Sequence, residues 1–239
     1  MSDASSYFLK VRCSLLLRLR QHFDTVKIDC YIELMTLDTV LIKRNSNYHH
    51  GNLRQTLVSA ATNMIAENGI ESLSLRKLAE KVGVSRTAAY HYFQDKNDLL
   101  CAIAANGFRR WQQSLDQLNA NQLPERDKFE QYILGYISFA THNPEEYELM
   151  FGRCIWKQSK CTPELQDISH TTFQRQVEMI EYWQSIGLVN GDSPLKMAQV
   201  IWGTLHGIAK LFIDGVYADV GRAEEIVISA LPMFLVSKV

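Results

Sequence analysis

SLRKLAEKVGVSRTAAYHYF, residues 74–93, reads as two short helices joined by a sharp corner. Ser74 is a helix N-cap, a hydroxyl placed to accept from a free backbone N–H in the first turn. Leu75, Leu78, Ala79 and Val82 then recur at the spacing of one helix face. Gly83 stops that helix, because without a Cβ it turns into the left-handed region freely, and Val84 packs under the corner. Ser85 is a second N-cap, opening a helix through Phe93. Ala89 and Phe93 share a face and turn inward, which leaves Arg86, Thr87, Ala88, Tyr90 and His91 outside. Such a unit is a helix-turn-helix, whose second helix enters the DNA major groove while the first crosses the backbone. The outward residues suit that task. Arg forks onto guanine, Thr and Ala methyls fit the thymine methyl, and Tyr and His reach phosphates or base edges. A purely structural role, covering a neighbouring helix, fits any one of Tyr90, His91 and Tyr92 but not the whole group. Ser74, Ser85 and Tyr92 complete the set of candidate DNA contacts on this unit.

Outward from this stretch the helical pattern continues in both directions. Asn52 to Gln55 forms a capping box, and Leu53, Leu57, Ala60, Ala61, Met64 and Ile65 follow at helical spacing up to Asn68-Gly69. Asp95 caps the next helix, with Asp98 in its first turn complementing the helix dipole. Helices are predicted over residues 124–142, 144–151, 163–186 and 194–217, each announced by a proline. A last one begins near Arg222 and contains Pro232, which should kink it or loosen its final turns. No β-alternation is sustained over five residues, so the fold class is all-α. The expected organisation is a three-helix DNA-binding domain over 47–98 and a larger helical body over 99–239, preceded by an extension over 1–46.

Residues 48–100, YHHGNLRQTLVSAATNMIAENGIESLSLRKLAEKVGVSRTAAYHYFQDKNDLL, resemble the DNA-binding domain of the TetR family of bacterial transcriptional regulators. The Val82-Gly83 turn, the Tyr90-x-x-Phe93 of the second helix and Lys96 in DKNDLL carry the resemblance. It implies a homodimer on a palindromic double-stranded DNA operator, commonly a repressor released by a small effector. It implies that Thr87, Tyr90 and His91 contact groove and phosphate, and that Lys96 contacts a phosphate. Trp202, His206 and Gly207 resemble the Trp-His-Gly signature of one subclass of TetR C-terminal domains.

Charge and composition agree with this reading without compelling it. The chain has 239 residues, a net charge of −1, 46% hydrophobic and 21% charged residues. Through Asp98 there are 13 Lys+Arg against 10 Asp+Glu, and from Leu99 onward 12 against 16, a basic front and an acidic rear. No uncharged apolar run approaches a membrane span and no secretory signal is evident, so no membrane association is expected. Five scattered cysteines suit reduced thiols in the cytoplasm. Arg54, Arg76, Lys77 and Lys43-Arg44 are candidate phosphate contacts, adding affinity without sequence information. His49-His50 lacks the acidic or Cys partners of a metal site, and Asp95 to Asp98 lacks the Gly and terminal Glu of a calcium loop, so no metal or cofactor is expected. Nucleotide-binding, hydrolase and zinc-protease signatures are missing too, which argues against an enzyme.

The 194–217 helix is apolar nearly all round, and such a helix is buried on more than one side. Leu195, Ala198, Trp202, Leu205, Ala209, Phe212 and Val216 form one seam; Met197, Ile201, Ile208 and Leu211 populate another side. Gly203 and Gly207 permit close approach of a second helix. Trp202, Gly203, His206, Gly207 and Phe212, with Ile226, Ala230 and Phe234 of the last helix, are the expected subunit interface, a four-helix intersubunit bundle. A wholly intramolecular core is the competing reading, since periodicity cannot name the partner. The middle helices are rich in aromatics, and Arg110, Tyr136, Trp156 and His170 are candidate lining residues for an apolar or aromatic effector. Plain core packing is the alternative for each. Cys154 and Cys161 leave room for a redox-responsive regulator of the same fold, and a transcriptional activator is the other alternative. Met35, thirteen residues before Tyr48, is a candidate start of translation; a native extension with Arg12, Arg18, Arg20 and Lys27 near DNA is the competing idea.

Overall fold

A computed structural model describes residues 53–157, 161–217 and 222–236. The expectations placed on Met35, Lys43-Arg44, His49-His50 and the Asn52 cap lie outside the described residues. So do those on Cys13, Cys30 and the N-terminal arginines.

Three short helices lead. Helix α1 runs Leu53–Asn68, and a single 3-10 turn, Ile70–Ser72, connects it to α2, Leu75–Val82; α3 is Arg86–Tyr92. Gly69 closes α1 at φ 74°, with its N–H on the Ile65 carbonyl at 2.7 Å. Gly83 closes α2 at φ 76°, ψ 31°. Its N–H reaches Glu80 and the N–H of Val84 reaches Ala79 at 2.9 Å, so the freed carbonyls at the end of α2 are satisfied by the corner itself. The Ser74 hydroxyl accepts from Lys77 N–H and that of Ser85 from Ala88 N–H. Leu75, Leu78, Ala79, Ala89 and Phe93 are buried against Leu57, Val58, Ala61 and Ile65 of α1. Burying Phe93 alone contributes about 2–3 kcal/mol.

Behind them stands α4, Lys96–Ala120, a 25-residue rod capped by Asp95, whose carboxylate accepts from Asp98 N–H. Every residue from Leu99 to Ala105 is buried. An α-helix buried all round needs neighbours all round, and α1, α5, α6 and α8 supply them. The remaining helices are α5 (Glu125–His142), α6 (Pro144–Phe151), the single turn α7 (Arg153–Trp156), α8 (Pro163–Ser185), α9 (Pro194–Ile213) and α10 (Ala223–Phe234).

One helix end differs from the sequence reading by more than a residue. Helix α9 stops at Ile213 rather than 217, because Asp214 and Gly215 (φ 72°) turn the chain back, with Tyr217 N–H on the Leu211 carbonyl. The turn α7 has too few residues to leave a periodic signature. Pro232 sits inside α10, which ends two residues later. Leu235 then forms an isolated antiparallel bridge to Val189, and the Asn190 side chain donates to the Leu235 carbonyl at 2.7 Å. That clamp ties the last helix to the α8–α9 connection. No described helix is long and apolar enough to cross a membrane.

Candidate nucleic-acid interface and the aromatic body behind it

Helix α3 is seven residues long, and its two faces divide cleanly. Ala89 and Phe93 are 0% and 1% exposed, whereas Arg86, Thr87, Tyr90 and His91 face solvent, Tyr90 at 53%. Ala88 is half-buried. Tyr92 is half-buried against the core, its ring edge-on to His91 at 5.4 Å. Ser74 and Ser85 are engaged as caps, so whatever they offer to DNA comes from groups already fixed to the helix starts. Arg76 and Lys77 are exposed on α2; Lys77 Nζ also donates to the Ser72 carbonyl at 3.2 Å. Lys96 Nζ donates to the Ile70 carbonyl at 2.7 Å. That bond holds the ammonium beside the 3-10 turn and leaves further N–H groups for an anion.

Arg54 is committed elsewhere. Its guanidinium lies over the Phe93 ring at 5.6 Å and pairs with Glu164 at 2.7 Å. Arg109 of α4 takes the other oxygen of the same carboxylate at 2.5 Å. Glu164, in the first turn of α8, thereby joins α1 to α4. Nothing in the sequence hinted at it, because its partners lie 110 and 55 positions away.

The aromatic body holds a polar chain that crosses three helices. Trp202 Nε1 donates to Tyr136 Oη at 3.0 Å, Tyr136 Oη meets Tyr147 Oη at 2.8 Å, and Tyr147 Oη meets His206 Nδ1 at 2.7 Å. The direction of the protons follows from counting them. Indole nitrogen only donates, so Tyr136 accepts from Trp202 and has one proton of its own to place. Passing it to Tyr147, which passes its own to His206 Nδ1, satisfies every hydroxyl. The reverse direction strands the buried Tyr136 proton, at about 1–3 kcal/mol. His206 is therefore the neutral tautomer with its proton on Nε2. Burial first, then the nearby Lys210, holds its imidazole below the ordinary value of 6.5. Burial likewise pushes the Tyr136 and Tyr147 hydroxyls far above the usual phenol range.

Tyr136 thus belongs to this chain, and Tyr147 of α6 is its centre. Arg110 stands nearby but is engaged: it pairs with buried Glu146 at 2.5 Å, donates to Asn143 at 3.2 Å and covers the Phe139 ring. Trp156 is 37% exposed on α7, its Nε1 on the Met150 carbonyl, and His170 is exposed on α8. These two are not gathered with Tyr136. Burial raises the thiols of Cys154 and Cys161 above the ordinary value, with Glu148 adding to the effect at Cys154. A shift in that direction disfavours the thiolate, the nucleophilic form.

The residues expected at a subunit seam divide into two layers. Phe212, Ala230 and Phe234 are 5%, 9% and 1% exposed and fill the chain's own core, while Trp202 and His206 turn toward Tyr136 and Tyr147. Ile226 is half-buried. Gly203 and Gly207 are exposed, and a Cβ built on either would meet no described atom within 4 Å. Also exposed are Leu195 and Val200 on α9, at 49% and 56%, and Ile228 and Met233 on α10, at 38% and 69%.

Comparison with known proteins agrees with both halves. Residues 57–103 match the model of the bacterial regulatory proteins of the tetR family, and residues 129–232 match a tetracyclin repressor-like C-terminal domain, together more than half of the chain. An uncharacterized HTH-type transcriptional regulator of Mycobacterium tuberculosis is 30% identical over 134 residues, 54% of this chain and 55% of the relative. The chain therefore spans about half the length of that relative. The transcriptional repressor AcnR of Corynebacterium glutamicum is 27% identical over 169 residues, covering 69% of this chain and 79% of that protein. A protein of unknown function from Rhodococcus sp. RHA1 superposes with a TM-score of 0.68 at 29% identity, over 79% of this chain and 96% of that one.

Proposed function

Because the chain belongs to the TetR family, with a C-terminal domain of the Trp-His-Gly type, a family of regulators and not enzymes, we propose that it is a ligand-responsive repressor. In this reading it binds a palindromic operator as a homodimer in the bacterial cytoplasm and leaves it when a small apolar or aromatic effector binds. The exposed Arg86–His91 face, anchored from below by Ala89 and Phe93, carries the proposal. Two polar aromatics beside Arg and Thr on so short a helix suit base edges and phosphates. Arg76, Lys77 and Lys96 flank it as phosphate contacts.

The dimer reading rests on α9 and α10. An exposed glycine inside a helix costs about 0.5–1 kcal/mol relative to alanine, so the Gly203–Gly207 pair calls for a reason. Close approach of a second copy to the bare backbone, with exposed Val200 one turn before Gly203, supplies one. A twofold axis there would present two copies of α3 to successive major grooves. Effector binding would then shift the spacing of the two α3 helices by as much as its affinity differs between the two arrangements.

DNA pulled down with the full-length protein and sequenced should yield a shared inverted repeat. On that DNA, Tyr90→Ala or His91→Ala should weaken binding by about 1–3 kcal/mol and relax selectivity at single positions. Unchanged affinity in both variants would remove α3 from the groove.

A further inference from the structure

Beside the Tyr136–Tyr147 pair the aromatic body carries four half-buried rings. Phe151, Phe173, Trp202 and His206 adjoin one another at centroid separations of 5.5–6.0 Å. His206 also lies nearly parallel to Tyr147, at 25° and 5.6 Å. The proton count above leaves the ring with one N–H, on Nε2, and no described residue accepts it.

We propose that His206 is the polar contact of the effector site, presenting Nε2–H to the hydrogen-bond acceptor of an uncharged planar aromatic ligand lying on the Phe151, Phe173 and Trp202 rings. This rests on the effector-responsive reading above and names the chemistry of that site. Aromatic rings favour an aromatic guest, edge-on or offset. The tautomer favours a ligand that carries an acceptor, since Trp202 donates into the chain and the chain emerges as a donor at His206. The ligand is uncharged because the nearby cations are already neutralised. Lys210, one turn beyond His206, is held by Glu148 at 2.7 Å and Asp214 at 2.9 Å, and Arg110 is held by Glu146. An ionic guest would bury its charge without a partner. The neutral state of His206 and of both tyrosines agrees with this. The same arrangement explains why Trp202 and His206 stand four residues apart on α9: they are the two ends of one hydrogen-bonded chain.

The test compares two probes of nearly equal shape, 2-acetylnaphthalene and 2-ethylnaphthalene, by calorimetric titration of the full-length protein and of His206→Phe. The ketone should bind the natural protein about tenfold more tightly than the hydrocarbon, the gain expected of one hydrogen bond. That advantage should vanish in His206→Phe. Equal binding of the two probes to the natural protein overturns the donor role of His206 and leaves an apolar effector site standing. An advantage that survives in His206→Phe overturns it as well. Binding of neither probe overturns both the donor and the aromatic site. Should His206→Phe fail to fold, the 15N shifts of His206 in the natural protein decide independently. A protonated Nε2 with a bare Nδ1 is expected, and a protonated Nδ1 overturns the proposal.

Discussion

Lys96 has a structural bond that bears on the phosphate contact proposed for it. Its hydrogen bond to the Ile70 carbonyl pins the ammonium at the junction between the 3-10 turn and α4. A cation fixed in this way meets a phosphate without first losing the rotamer freedom of an ordinary surface lysine. Lys96→Ala should weaken binding to all DNA sequences alike and reduce the salt dependence of log K by about one unit, the signature of one lost phosphate contact. Titrations by fluorescence anisotropy at several salt concentrations would show it; a loss confined to one operator base would contradict the assignment. Arg54 is the contrasting case. From the sequence it is one more basic residue near the reader helix, yet its charge is shared with Glu164. Its removal should disturb the seating of α1 before it disturbs contact with DNA.

At the scale of helices, the sequence was most legible where local rules suffice. Ser74, Ser85 and Asp95 cap the helices they were expected to cap, Gly83 turns the corner, and the Ala89–Phe93 spacing identifies the buried face of α3. Legibility ended at α9. A helix apolar on nearly every side has no unique inward direction, so Phe212 reads equally well as core or as seam until its neighbours are known. Only the placement of α5 and α6 shows that Trp202 and His206 look inward, and only then do Gly203 and Gly207 emerge as the bare outer side. The polar chain was illegible for the same reason, being distributed over three helices with no spacing to betray it. Gly203→Val with Gly207→Val should leave helical content and cooperative unfolding intact, because no described atom crowds either position. On the proposed seam, the same change should move the sedimenting species from dimer to single chain. A double variant that remains dimeric would place the seam elsewhere.

For the molecule as a whole, acid should act through His206. Its folded value lies below 6.5 because of burial and then Lys210, so over that interval the unfolded chain binds the proton more readily. The stability that depends on the neutral ring is present in full above 6.5 and declines as the pH falls through the lower, folded value. Melting temperatures measured from about pH 7 down to about pH 5.5 should fall more steeply for the natural protein than for His206→Phe; parallel curves would deny the imidazole this role. The carboxylate of Glu164 has a different kind of consequence. It is one latch with two keepers, Arg54 in the reading head and Arg109 in the long rod, and half in water it is loosened by the same dissolved ions that strip the protein from phosphates. A brine-driven loss of DNA binding therefore mixes two events, escape from the duplex and slackening of the head upon its stalk, and Glu164→Gln is the substitution that pulls them apart.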